Sequence, residues 1–325
     1  MTDFARIGRA LEAIGGVSVQ AGVPMASRTS LGVGGPADLL VRVREERALV
    51  PVLATLDDEG CPWMTAGLGT NLLVTDDGIE GAVVGLQDAF DSAVFDGTGN
   101  RPQLLAGAAR GIVPLLADVT RAGRSGLEFL TGIPGTLGGA VVMNAGTLYG
   151  YLDAALIEVR VATAAGESWV RASELRLGYR TSVLPRDSVI AAARLALAPF
   201  QTPEAEAVAT DLDARRRAGH PPMKGTCGSF FRNPDPAGRK YAGRLIEESG
   251  LKGVRVGGAW VSPVHANFLS NAGGASARDL LELAVRVRDE VLRTSGERLI
   301  PEVRIVGRGS GEWRARLGCE ACGEG

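Results

Sequence analysis

The sequence lacks the marks of several protein classes. It has no basic excess: 35 Lys and Arg stand against 37 Asp and Glu, for a net charge of −2. Nucleic-acid binders collect cations to neutralise phosphates, so no nucleic-acid partner is expected. No apolar run approaches the ~18 residues of a membrane span. The opening stretch MTDFARIGRALEAIGG carries Asp3, Arg6, Arg9 and Glu12, which is incompatible with the apolar core of an export signal. A cytoplasmic location with reduced thiols is the expectation. Cysteine is scarce, with four residues. Cys319 and Cys322 form a CxxC, but zinc needs about four ligands and no second pair exists, so no metal is expected. The run Gly67-x-Gly69 lacks the third glycine of the dinucleotide fingerprint, and no lysine-ended phosphate loop occurs. There is no repeat of solenoid length and no low-complexity block.

Glycine is abundant, at 45 residues of 325, which points to tight turns and close backbone approaches to a ligand. Periodicity divides the chain. Phe4, Ile7, Leu11 and Ile14 share one helical face, giving an N-terminal helix in a segment 1–19. A first unit, 20–88, has a strand at 38–43, a helix carrying Leu49, Leu53 and Leu56, and strands at 61–67 and 81–86. A second, 89–200, has a strand at 104–109, a helix through Ile112, Leu115 and Val119, and strands at 156–163 and 189–198. Thr202-Pro203-Glu204 reads as a helix start, with a hydroxyl cap, proline in the first turn and then acid. It opens a linker helix, 201–218. A third unit, 219–308, has a helix at 242–248, a longer one through Leu280, Ala284, Val287 and Val291 closed by Gly296, and a strand at 303–307. Residues 309–325 read as a disordered tail. The class is α+β.

Two glycine-rich runs call for a ligand: GLGTNLLVTDDGIEG (67–81) and TGIPGTLGGAVVMNAG (131–146). Successive glycines let amide N–H groups converge on an anion without Cβ clashes, so two distant runs suit a diphosphate held from two sides. Either run alone reads as a structural turn. A third stretch, GTCGSFFRNP (225–234), places a hydroxyl between a glycine and two aromatic rings. It reads as a loop that delivers Ser229 into a closed site.

Taken in order, TSLGVGGPADLLVRV (29–43), the two glycine-rich runs, LGYRTS (177–182), GSFFRNP, AGRLIEESGLKG (242–253), HANFLSN (265–271) and IPEVRIVG (300–307) resemble the UDP-N-acetylenolpyruvoylglucosamine reductase family. The resemblance runs from about residue 20 to residue 308. It implies a vanillyl-alcohol-oxidase-type FAD-binding fold of two subdomains, with a C-terminal α+β substrate-binding domain. It implies FAD contacts from Gly67, Gly69, Thr70, Asn71 and Leu72 on one side, and from Pro134, Gly135, Thr136, Gly139 and Asn144 on the other. Both histidines, His220 and His265, lie beyond the FAD units, so FAD is expected to be non-covalent. NADPH would donate a hydride, and the enolpyruvyl ether of UDP-N-acetylglucosamine would receive it.

The same resemblance implies roles for three residues. Ser229 would protonate C2, Arg180 would hold the carboxylate and the developing charge, and Glu302 would polarise the enol. Arg216, Asn233 and Asn267 would touch substrate. Without the motifs, Ser229 would read as a loop cap, Arg180 and Glu302 as a surface ion pair and a strand-end carboxylate, and Tyr179 and His265 as packing residues. The strand at 189–198 passes straight into the linker, so the chain corresponds to the shorter family type, without the inserted tyrosine loop. Gly219 stands where the other type has a lysine, and Lys224 or Arg217 are candidates to replace it. A monomer or weak oligomer is expected. The alternative is an FAD oxidase of the same fold acting on a small alcohol or sugar. It would share the glycine runs but would not need GSFFRNP or PEVRIVG.

Overall fold

Along the strand Pro36–Val43, Leu39, Val41 and Val43 point to one side and Leu40 to the other, and all four are buried. A strand buried on both faces belongs inside a sheet. In the computed structural model, which describes residues 2–96, 101–235, 237 and 240–319, it pairs antiparallel with Val17–Pro24 and parallel with Ile79–Leu86. Trp63–Thr65 adds a further parallel strand. Parallel pairing needs a crossover, supplied by the helix Glu46–Asp58, whose Leu49, Leu53 and Leu56 are fully buried. The helix Phe4–Glu12 packs Ile7 and Leu11 into the same core, and its N-cap Asp3 accepts from the Arg6 N–H at 3.0 Å.

The second unit is an antiparallel sheet ordered Gly166–Arg171, Leu156–Thr163, Val189–Ala196, Gln103–Gly107, Ala93–Asp96. The helices Ile112–Arg121 and Leu137–Val142 share its core. The second of these lies inside the glycine-rich run, with Thr136 as its N-cap. Thr202 caps the linker helix Pro203–Gly219 by accepting from the Ala205 N–H at 3.2 Å.

The third unit sets Arg255–Val256, Ala259–Val261 and Leu269–Asn271 against the helices Ala242–Glu248 and Ala277–Ser295. Gly296 ends the longer helix in the left-handed region at φ 73°, as a helix terminator does. The last strand, Arg304–Val306, pairs in parallel with Leu72–Val74 of the first unit. That ladder ties the third unit to the first and sets residues 300–302 at the seam between them.

Two sequence expectations are corrected. The segment 1–19 is not all helix, because the edge strand begins at Val17. The tail is not wholly disordered, because Ser310–Leu317 is a helix between left-handed Gly309 and Gly318. Trp313 and Leu317, four residues apart, face the third core, and Leu317 and Cys319 are buried. Cys322, the other half of the CxxC, lies outside the described residues. Leu317→Ala is therefore expected to destabilise the protein by about 2–4 kcal/mol, as deletion of a buried leucine does; urea unfolding measures it. A change under about 0.5 kcal/mol, the surface value, would mean that this helix does not contribute to the core.

Candidate active site

A cavity of about 740 Å³ opens where the three units meet, lined by residues of both glycine-rich runs, the 177–190 region, the end of the linker helix and the third unit. The two runs face each other across it. A Cβ on Gly67 would lie 2.6 Å from Thr136 Oγ1, and one on Gly135 would lie 3.1 Å from Thr70 Oγ1. Gly69 has φ 63°, and its α-carbon abuts the Arg28 carbonyl so closely that a side chain would collide with it. Only glycine permits both the conformation and the contact. Among the described residues, no hydrogen bond uses the amide N–H groups of residues 67–71, 135 or 136, so these donors stay free for a ligand. Leu137 and Gly138 differ, since their N–H groups donate to the carbonyls of Arg110 and Ala108.

Gly67, Gly69, Thr70, Asn71, Leu72, Pro134, Gly135, Thr136 and Gly139 all line the cavity. Asn144 does not, and its expected cofactor contact is corrected. Its side chain is buried, with Nδ2 donating to the Gly178 carbonyl at 3.1 Å and to Asp153 Oδ2 at 3.2 Å. It thereby ties the second run to the turn that carries Arg180.

That turn closes by reciprocal Gly178–Thr181 backbone bonds, with Arg180 left-handed at φ 56°. A non-glycine residue there is strained by about 1–3 kcal/mol. Asn144, and Ser182 Oγ donating to the Val142 carbonyl at 2.9 Å, hold it in place. Arg180 Nε lies 3.0 Å from Glu302 Oε1, and both side chains are about four-fifths buried or more. The N–H is not aimed along the contact, so this is an ion pair and not an aligned hydrogen bond.

Glu302 is positioned by its own backbone. Its N–H donates to the Phe230 carbonyl at 2.8 Å, and the Arg232 N–H donates to Ile300 at 2.9 Å. This short antiparallel pairing brings the backbone of the Ser229 loop against the segment that carries Glu302. Asn71 Nδ2 donates to the Glu302 carbonyl at 3.2 Å, joining the carboxylate's backbone to the first glycine run. Phe230 and Phe231 are fully buried, 5.1 Å apart between ring centroids, and anchor the loop in the third core. Ser229, Arg180 and Glu302 all line the cavity. Burial pushes the Glu302 carboxyl above its ordinary range, opposed by Arg180 and Arg232. The adjacent Cys227 is pushed up to about 12, by burial first and by Glu302 second, so it stays a thiol.

Neither Asn233 nor Asn267 lines the cavity; Asn267 is buried, whereas Asn233 is half-buried beside Tyr179, whose hydroxyl accepts from its N–H at 3.4 Å. Asn267 Oδ1 accepts from the Phe231 N–H at 3.0 Å and its Nδ2 donates to the Phe231 carbonyl at 2.8 Å. Asn233 Oδ1 accepts from the Ala242 N–H at 3.0 Å, at the start of a helix. The Asn267 amide thus braces the Phe231 backbone with both its oxygen and its nitrogen.

Arg216 does line the cavity, packed over Gly132. Its neighbour Arg217 pairs with Asp213 on the exposed side of the helix, and Lys224 is exposed, so neither replaces the expected lysine by lining the cavity. His220, which lies beyond the two FAD units in sequence, reaches the cavity wall. It meets His265 edge-on at 5.4 Å and Phe268 at 5.0 Å. Burial, then Arg216, then His265 depress its imidazole to about 4, so it is neutral at neutral pH. Tyr179 packs edge-on against Tyr151, as a packing residue does. Sequence reasoning gave no role to the cavity residues Arg28, Arg42, Gln87, Ser188 and Met223. Arg42 lies within the quoted stretch 29–43 and Arg28 immediately precedes it, which was the one available signal.

Comparison with known proteins agrees with this geometry. Residues 220–306 match the domain family described as UDP-N-acetylenolpyruvoylglucosamine reductase, C-terminal domain, and residues 37–171 match an FAD binding domain. The UDP-N-acetylenolpyruvoylglucosamine reductase of Anaeromyxobacter sp. (strain Fw109-5) is 45% identical over 285 residues, covering 87% of each chain. That of Myxococcus xanthus (strain DK1622) is 41% identical over 298 residues, covering 91% of this chain and 95% of the relative. The crystal structure of the Thermus caldophilus UDP-N-acetylenolpyruvylglucosamine reductase superimposes with a TM-score of 0.76 at 37% identity, covering 89% of this chain and 99% of that one.

Proposed function

The chain belongs to the UDP-N-acetylenolpyruvoylglucosamine reductase family, and we propose that its cavity performs that family's reduction. The enolpyruvyl ether of UDP-N-acetylglucosamine becomes UDP-N-acetylmuramate for peptidoglycan, with NADPH as the hydride donor. FAD, when bound, supplies the hydride-carrying chemistry between the two nucleotides. The residues fit it: two facing glycine runs with free amides suit its diphosphate, and the reactive cluster lies in the same cavity. His220 is packed against His265 and Phe268, in keeping with non-covalent binding.

The protein's own groups then divide the work. Arg180 holds the substrate carboxylate and stays charged while negative charge builds on C2. Ser229 Oγ–H gives its proton to C2. A hydroxyl is a weak acid, but a carbanion-like enolate is a strong enough base to take its proton. Glu302, beside Arg180 and biased by burial toward its protonated form, polarises the same enol. Arg216 faces the nucleotide diphosphate. The observation that supports this reading is that Arg180 pairs with Glu302 and that both line the same cavity as Ser229, although the three come from distant stretches. An oxidase of the same fold would have no need of that set.

We place the enzyme in the cytoplasm as a monomer or weak oligomer, without nucleic-acid or membrane partners. The near-balanced charge supports this. Among the described residues no helix is long and apolar enough to cross a membrane. An anaerobic titration tests the function. NADPH should bleach the yellow protein, and the enolpyruvyl nucleotide should restore the flavin absorbance. Protein that stays bleached until air is admitted would be an oxidase, and the proposal would fail.

A further inference from the structure

A diphosphate needs counter-charge, and the two glycine-rich runs offer only amide dipoles. The charged side chains lining the cavity are Arg28, Arg42, Arg180, Arg216, Arg304 and a single carboxylate, Glu302. Arg180 is held by Glu302, and Arg216 feels Arg180 as a like charge, so both stand at the reactive end. Arg28 and Arg42 form a separate pair. The Arg28 carbonyl abuts Gly69, and the Ser30 N–H donates to the Gly69 carbonyl at 3.1 Å, so this segment lies directly along the first glycine run. Leu40 and Arg42 are two apart on one strand, so both project from the face of the sheet that lines the cavity. Arg42 Nη1 donates to Gln20 Oε1 at 3.0 Å, which steadies a guanidinium that feels Arg28 and Arg44 as like charges. Among the described residues neither Arg28 nor Arg42 has a carboxylate partner.

Two unneutralised guanidiniums beside a row of free amides make a site for a doubly charged anion. We infer that Arg28 and Arg42 supply the counter-charge for the FAD diphosphate and so make the dinucleotide, not the bare flavin, the form the protein retains. The inference rests on the FAD reading above. Arg28 is exposed and Arg42 half-buried, so their contribution should be screened by salt.

The test is titration of the flavin-stripped full-length chain with FAD at several NaCl concentrations, followed by flavin fluorescence, for wild type, Arg42→Gln, Arg28→Gln and Arg42→Lys. Each glutamine variant should bind FAD at least about tenfold more weakly, the scale of one charge-assisted hydrogen bond. Its salt dependence should be flatter than that of wild type, while Arg42→Lys keeps most of the affinity and slope. Affinity within twofold of wild type overturns the inference. So does weakening with an unchanged salt slope, which would mean the arginines only support the fold. A wild-type chain that binds no FAD would instead sink the FAD reading itself.

Discussion

Ser229→Ala is expected to leave flavin reduction by NADPH near the wild-type rate while slowing flavin reoxidation by the enolpyruvyl nucleotide at least about 10²-fold, the low end for a positioned acid. The asymmetry follows from where the proton is needed. Hydride delivery from NADPH requires no protein acid, whereas the second half-reaction leaves charge on C2 that must be quenched. The loop is anchored by Phe230, Phe231 and the Asn267 amide, none of which involves the Ser229 hydroxyl. Removing one oxygen should therefore leave the backbone in place. Stopped-flow absorbance separates the two halves, and equal losses in both would make Ser229 a structural residue.

Arg180→Met should have a comparably large effect by a different route. Methionine keeps an apolar stem in the left-handed turn, where it is strained as arginine is, so the substitution mainly removes charge. Losing one partner of a largely buried charge pair costs about 2–5 kcal/mol. That corresponds to a fall of about 30-fold to about 5 × 10³-fold in kcat/KM for the enolpyruvyl nucleotide. Arg180 is also the leading influence that lowers the Glu302 carboxyl against burial. Without it the Glu302 titration moves up, and the carboxyl holds its proton to higher pH. A loss below threefold, with no upward shift in the pH profile of reoxidation, would contradict the role given to Arg180.

Much of this architecture could be read from the chain because its signals are local. The strand Leu156–Thr163 and the helix Ala242–Glu248 fall where periodicity and a following glycine put them. The edge strand Val17–Pro24 went unread because its outer positions are exposed and Gly22 interrupts the pattern. The final helix was hidden by glycines at both ends, which in sequence resemble a flexible tail and in space serve as caps. That Ser229, Arg180 and Glu302 line one cavity was foreshadowed because each sits in a dense motif.

The backbone bonds made by Asn144 and Asn267 were not legible. An amide can serve a ligand or a backbone equally well, and the Phe231 backbone that occupies Asn267 lies 36 residues away. Arg28 and Arg42 failed for a related reason. A lone arginine in a strand, as Arg42 is, or in a turn, as Arg28 is, looks like a solvated surface residue until the fold turns it toward a cavity.

Isotope placement tests the central claim most directly. The reaction is run anaerobically in D2O with NADPH and the enolpyruvyl nucleotide, and the product is read by proton NMR. Delivery of a solvent-exchanged proton to C2 should leave one deuterium at C2, while any label at C3 reports only how far the carried hydrogen exchanges with solvent before its transfer. Product with undeuterated C2 would contradict protonation of C2 by an exchangeable group such as the Ser229 hydroxyl.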